Sequence, residues 1–187
     1  MSNLGNIFLN QKLGFGFHLK RLFKRTNLRG FCMHLGSPID QVVKYLSSYK
    51  DILCVNVDID YMEVLEANKR QELIDLKTTN KNAYNNLIRP IIKNYVMSLR
   101  KIYNNQVKFI VLIGSDPDIL KYCSVKTNFL FVLIPENGIK IDLSEPDGVK
   151  SREEANRSNY KKYEYRTDNE LNTLLNFLLD REKIISL

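Results

Sequence analysis

The chain has 187 residues, 44% of them hydrophobic, enough for one sizeable buried core and a single α/β domain with a modest appendage. Its 28 Lys+Arg against 21 Asp+Glu give a formal charge of +7, and residues 1–39 hold six of those bases (Lys12, Lys20, Arg21, Lys24, Arg25, Arg29) and no acid. Cys32, Cys54 and Cys123 are odd in number and lie in or beside apolar runs, which argues against a disulfide framework or a zinc site and for reduced, packed thiols. No apolar stretch approaches the roughly 20 residues of a membrane span and none resembles a signal peptide, so an intracellular protein is expected.

Residues 1–29 read as a basic aromatic arm. Phe8, Leu9, Leu13, Phe15, Phe17, Leu19, Leu22 and Phe23 alternate with the bases, and Gly5, Gly14 and Gly16 interrupt any long helix. Residues 18–25, HLKRLFKR, predict two helical turns with Leu19, Leu22 and Phe23 on one face and Lys20, Arg21, Lys24 and Arg25 on the other. Such an arm can dock on an acidic protein, lie on an anionic membrane, clamp nucleic acid or pack on its own domain. Because RNP-like and zinc-finger spacings are absent, any nucleic-acid contact is expected to be non-specific, and a protein partner or assembly is the expected ligand.

From residue 30 the α/β domain begins. Residues 31–35 predict a strand, Gly36 a tight turn, and Ser37, Pro38 and Asp40 a helix start with capping-box-like spacing. An amphipathic helix follows over 39–49, then an apolar strand at 52–59 ending in Asp58 and Asp60, where open α/β sheets bind ligands. Helices are predicted over 61–76 and 83–103, the latter starting or kinking near Pro90, with a polar loop at 77–82. Lys69, Arg70 and Lys77 read as a solvated face.

Residues 107–113 form the clearest strand, and Gly114, Ser115, Asp116, Pro117 and Asp118 then open a helix, echoing the turn at Gly36. A further strand at 129–134 is closed by Pro135 and the turn at 136–138. Residues 139–143 predict a short edge strand, 144–166 a charged lid-like loop, and 167–185 a final helix opened by the capping box Thr167 to Glu170. The sum is a three-layer sandwich: a mainly parallel sheet of four to five strands covered by helices on both faces.

In this order the chain resembles the P-loop kinase-like fold, with the layout of nucleoside-monophosphate and shikimate kinases over residues 30–185. The resemblance rests on the strand-turn-helix at 31–46, VNVDID at 55–60, FIVLIGSDPDIL at 109–120 and FLFVLIP at 129–135. It implies Asp58 or Asp60 as the acid holding Mg²⁺ or the acceptor, and Arg152 and Arg157 as lid arginines for phosphates. The phosphate loop departs from the pattern. HLGSPIDQ is too short, carries Pro38 in place of an N–H, has no lysine, and sets Asp40 where a triphosphate would rest.

The expectation is therefore a kinase-like scaffold without its nucleotide loop, serving as a structural or interaction module and needing no cofactor. Mg²⁺ and ATP belong to the alternative, a phosphotransferase with an atypical phosphate loop. A second alternative, similar to haloacid-dehalogenase-like phosphatases, takes Asp58 as nucleophile, Asp60 as acid/base and Ser115 as the phosphate-binding hydroxyl. Against it, Met62 stands where Thr or Val is expected, and no paired acids follow residues 129–135. Abundant Asn, Lys and Ile without Trp suits an AT-rich genome, and beside the kinase-like resemblance it suggests a large DNA virus, with cytoplasm or virion as the place of action.

Overall fold

The computed structural model describes residues 26–136, 153, 156 and 158–179. Outside them lie the arm with Lys20, Arg21, Lys24 and Arg25, the strand expected at 139–143, and the proposed lid arginines Arg152 and Arg157.

Apolar runs with β-branched residues become strands, and three- and four-residue apolar spacing becomes helices. In chain order these are β1 (Asn27–Met33), α1 (Ile39–Ser47), β2 (Ile52–Asn56), a 3-10 turn (Asp60–Val64), α2 (Ala67–Thr79), α3 (Lys81–Tyr103), β3 (Phe109–Gly114), α4 (Pro117–Tyr122), a second 3-10 turn (Thr127–Phe129), β4 (Leu130–Pro135), β5 (Lys161–Tyr165) and α5 (Asp168–Leu178). The strands pair in the order β2-β3-β1-β4-β5, every pair parallel.

Because side chains alternate across a strand, each run feeds two cores. On one face Leu53, Val55, Ile110, Leu112 and Val132 meet Leu73 of α2, Ile88, Ile92 and Val96 of α3, and Leu120 of α4. On the other, Phe31, Cys54, Val111, Ile113 and Leu133 meet Val42 and Leu46 of α1 with Leu171 and Leu175 of α5. The crossover through α1 runs along the sheet opposite to the later ones, and right-handedness then places α1 across the sheet from α2, α3 and α4. The expected three-layer sandwich is the observed one. The three cysteines are free and buried, and among the described residues no helix is long and apolar enough to cross a membrane.

Several boundaries differ from expectation. β1 begins at Asn27, so Arg29 belongs to the sheet and not to the arm: it is buried, with its guanidinium 3.8 Å from the Phe129 ring centre and 5.2 Å from that of Phe109. A 3-10 turn occupies the expected start of α2, and the loop at 77–82 contracts to Asn80, whose side chain accepts the Ala83 N–H at 3.0 Å and caps α3. Pro90 neither starts nor ends α3, because it lies on the exposed side where water can reach the carbonyl it leaves unbonded. Residues 161–165 of the expected lid are β5, a charged edge strand with Tyr163 and Tyr165 directed inward. Helix α5 keeps its predicted start: Thr167 accepts the Glu170 N–H at 3.2 Å, while Glu170 accepts the Arg166 N–H at 2.7 Å.

Candidate functional site

β1 and β3 are neighbours whose following helices leave for opposite faces, so a crevice opens at their carboxyl ends. The two echoing turns, Gly36 to Asp40 and Gly114 to Asp118, both stand there.

The first turn closes on itself. Gly36 takes φ 86°, the left-handed conformation that glycine adopts without cost. Ser37 donates its N–H to the His34 carbonyl at 3.1 Å, and Ile39 donates to the Ser37 carbonyl at 2.7 Å. Between them Pro38 has no N–H and forms the N-cap of α1, without any side-chain cap. The expected capping role of Ser37 is thus corrected: the residue sits one position too early, and its hydroxyl turns inward. It lies close enough to Tyr165 to oppose the burial that pushes that phenol up to about 12, but neither buried hydroxyl has a hydrogen-bond partner among the described residues. Asp40 is exposed in the first turn of α1, where its charge suits the helix dipole.

The second turn is tied to its neighbour. Val57 donates its N–H to the Ile113 carbonyl at 2.7 Å, carrying the chain after β2 alongside β3. Gly114 permits this approach, since a Cβ there would stand 2.5 Å from Val57 Cγ2. Asp58 then accepts the Ser115 N–H at 2.8 Å, and the Ser115 hydroxyl also faces its carboxylate. Asp116 caps α4, accepting the Asp118 N–H at 2.7 Å and the Ile119 N–H at 3.4 Å.

Electrostatically the crevice is acidic. Burial raises the Asp58 pKa and the Asp116 charge adds to it, whereas the Ser115 backbone N–H, the Ser115 hydroxyl and Lys77 pull it down. Cys32, fully buried, points its Sγ at the Ser115 carbonyl 3.6 Å away, and burial with the nearby carboxylates pushes its thiol far up, which disfavours the thiolate. Tyr160 donates to Asp118 at 3.4 Å, with its phenol raised chiefly by burial.

The structure therefore brings together Asp58, Ser115 and Asp116, beside the turn of Gly36 and Ser37. Asp60 is set apart: it is buried, and its carboxylate accepts the Asn56 N–H at 3.0 Å, folding the chain back at the end of β2. Sequence reasoning missed Asn56, whose side chain accepts the Asp58 N–H at 3.0 Å, and the approach of Lys77, Cys32, Asp118 and Tyr160. Among the described residues, no group of three or more His, Cys, Asp or Glu side chains is arranged to hold a metal. Chemically, this cluster can hold a proton on Asp58 and orient a hydroxyl.

No protein-family model, curated protein or solved structure matches the chain.

Proposed function

We propose that this chain is a non-catalytic module of kinase-like layout from a large DNA virus that acts inside a cell or virion by binding a protein partner or assembly through its basic N-terminal segment. One observation carries the reading. The turn after β1, where a P-loop kinase would wrap phosphate, uses the N–H groups of Ser37 and Ile39 within itself, offers none at Pro38, and has no lysine. The acids of the neighbouring turn, Asp116 and Asp118, with Asp58 beside them, further disfavour a polyphosphate in the crevice.

The phosphotransferase alternative predicts that ATP or GTP with Mg²⁺ raises the melting temperature and that Asp58→Ala abolishes the rise; our reading expects no rise at all. The phosphatase alternative draws on the contact between Asp58 and Ser115 and predicts p-nitrophenyl phosphate hydrolysis that depends on Asp58. It requires Asp60 as acid/base, yet that carboxylate is engaged with backbone. For the partner, removal of residues 1–25 is the informative deletion, because residues 27–29 belong to β1. If every partner contact survives that deletion, the role given to the segment is wrong.

A further inference from the structure

A groove separates α3 from β2, the strand at the sheet edge. Its floor is β2, and its walls are the 3-10 turn with Val64 and Leu65 and the side chains of Ile91, Tyr95, Leu99 and Ile102 on α3, enclosing about 430 Å³. That is about three times the roughly 150 Å³ that holds a benzene, room for an alkyl chain of about a dozen carbons. The shape is long, since Ile91 and Ile102 are separated by about 16 Å of rise along the helix. Val64 is 49% exposed and Ile102 43%, so apolar wall faces solvent in the described structure.

The two ends of the groove differ in charge. At the 3-10 end Glu63 lines the wall, and its charge with that of Asp60 adds to the burial that raises the Tyr95 phenol. Arg70 stands at that end too, where its guanidinium donates to the Leu65 carbonyl at 3.0 Å. Two acids against one base repel an anion there. The other end is basic. Helix α3 has no acid between Lys81 and Tyr103, and its last turn carries Arg100 and Lys101. A ridge of Asn94 and Ser98 joins the groove to a hollow lined by those two bases, and no acid lines that hollow among the described residues. Lys101 follows Ser98 by three residues and so stands beside it on the helix surface. The two full positive charges outweigh the roughly half negative charge of the helix end.

We propose that the α3 groove binds a free long-chain carboxylate, with its alkyl chain along β2 and α3 and its carboxylate across the ridge at Lys101, where the Ser98 hydroxyl and the Asn94 amide can donate to it. Charge complementarity selects this class. A cationic head would be repelled by Lys101 and Arg100, and a neutral chain would leave them unused. The acids of the 3-10 end fix the direction in which the chain lies. Lys101 can lay its own methylenes along neighbouring apolar wall while its ammonium meets the head. The site goes beyond the reading above and does not depend on what the basic N-terminal segment binds.

The test is calorimetric titration of the full chain with sodium dodecanoate, kept below the concentration at which it forms micelles. One site per chain is expected, and decanoate should bind about tenfold more weakly because it buries two fewer methylenes. Lys101→Glu should weaken either carboxylate by roughly tenfold and leave decanol, which lacks the charge, within about twofold of the parent. Ile102→Asp should weaken carboxylate and alcohol alike. Both residues are exposed, so both variants should melt within a few degrees of the parent. Dodecanoate that binds Lys101→Glu as tightly as the parent, binds only as micelles, or binds no better than decanoate overturns the proposal. So does dimerisation in sedimentation velocity that Ile102→Asp abolishes, which would put a second copy in the groove. Binding to phosphatidylcholine vesicles that Ile102→Asp abolishes, without binding of monomeric dodecanoate, would make the wall a membrane contact and overturns it as well.

Discussion

The turns after β1 and β3 look alike in sequence, Gly-Ser-Pro against Gly-Ser-Asp-Pro, yet they do different work, and the inserted Asp116 accounts for much of the difference. In the second turn that residue is the N-cap, with Pro117 at the first helical position where its missing N–H costs nothing. The first turn lacks it, so Pro38 itself becomes the N-cap and Ser37 is left one residue out of place. The amide of Ser115 is then available to Asp58 on another strand, whereas the amide of Ser37 returns to its own turn. Even the glycines differ in kind: Gly36 supplies a positive φ, while Gly114 supplies space.

That contrast is most severely broken at Gly114. A Cβ 2.5 Å from Val57 Cγ2 and 3.3 Å from Asp58 Oδ1 must push apart two buried connections, so Gly114→Ala should destabilise by about 1 to 3 kcal/mol in urea unfolding. Gly30→Ala is the control, because its Cβ would meet the movable ends of Leu130 and Val125 at 2.9 and 3.1 Å and should be better tolerated. Equal losses at the two positions would mean that close approach at Gly114 is not what separates the turns.

A smaller loss is expected from Asp116→Ala, which removes both capping bonds of α4 and should cost about 1 kcal/mol. Asp116→Asn, which keeps an accepting oxygen, should recover most of it.

Asp58 sharpens the electrostatic half of the comparison. Its carboxyl is raised in the folded state, so its contribution is fully present below the unfolded pKa, near 3.8, and is lost as pH climbs through the higher folded value. Asp58→Asn holds the neutral form and can still accept the Ser115 N–H. Measured by denaturation from pH 3.5 to 7, the variant should gain on the parent as pH rises. A difference between the two that stays constant with pH would show that Asp58 is not held raised.

How much of this could be read in advance follows from how local each signal is. β3 and β4 were legible because buried parallel strands are continuous apolar runs. β5 was not, since Lys161, Lys162 and Glu164 are exposed at a sheet edge and only Tyr163 and Tyr165 carry the inward pattern. Asp58 announced itself by standing after a buried strand. Its partner Ser115, 57 residues away, was named only through the dehalogenase-like resemblance; the backbone contact itself depends on the register between β2 and β3, which no local pattern contains. The capping of α4 and α5 was written in neighbouring residues, while the failure of Ser37 to cap depended on which residue Pro38 displaced.

The smallest effects belong to the first turn, and they decide whether its difference from the second is real. If Ser37 capped α1, Ser37→Ala would cost about 1 kcal/mol, as Asp116→Ala should in the other turn. With its hydroxyl buried and without a partner among the described residues, the substitution removes a group that was desolvated for no hydrogen bond, so stability should stay within about 0.5 kcal/mol of the parent or rise. Tyr165→Phe should behave the same way near neutral pH. It should also flatten the loss of stability expected between about pH 10, where the unfolded phenol ionises, and about pH 12, where the folded one does. Loss of 1 kcal/mol or more in both variants would place a working hydrogen bond between the two hydroxyls, making the first turn a capped crossover closed by β5 and erasing the distinction from the second.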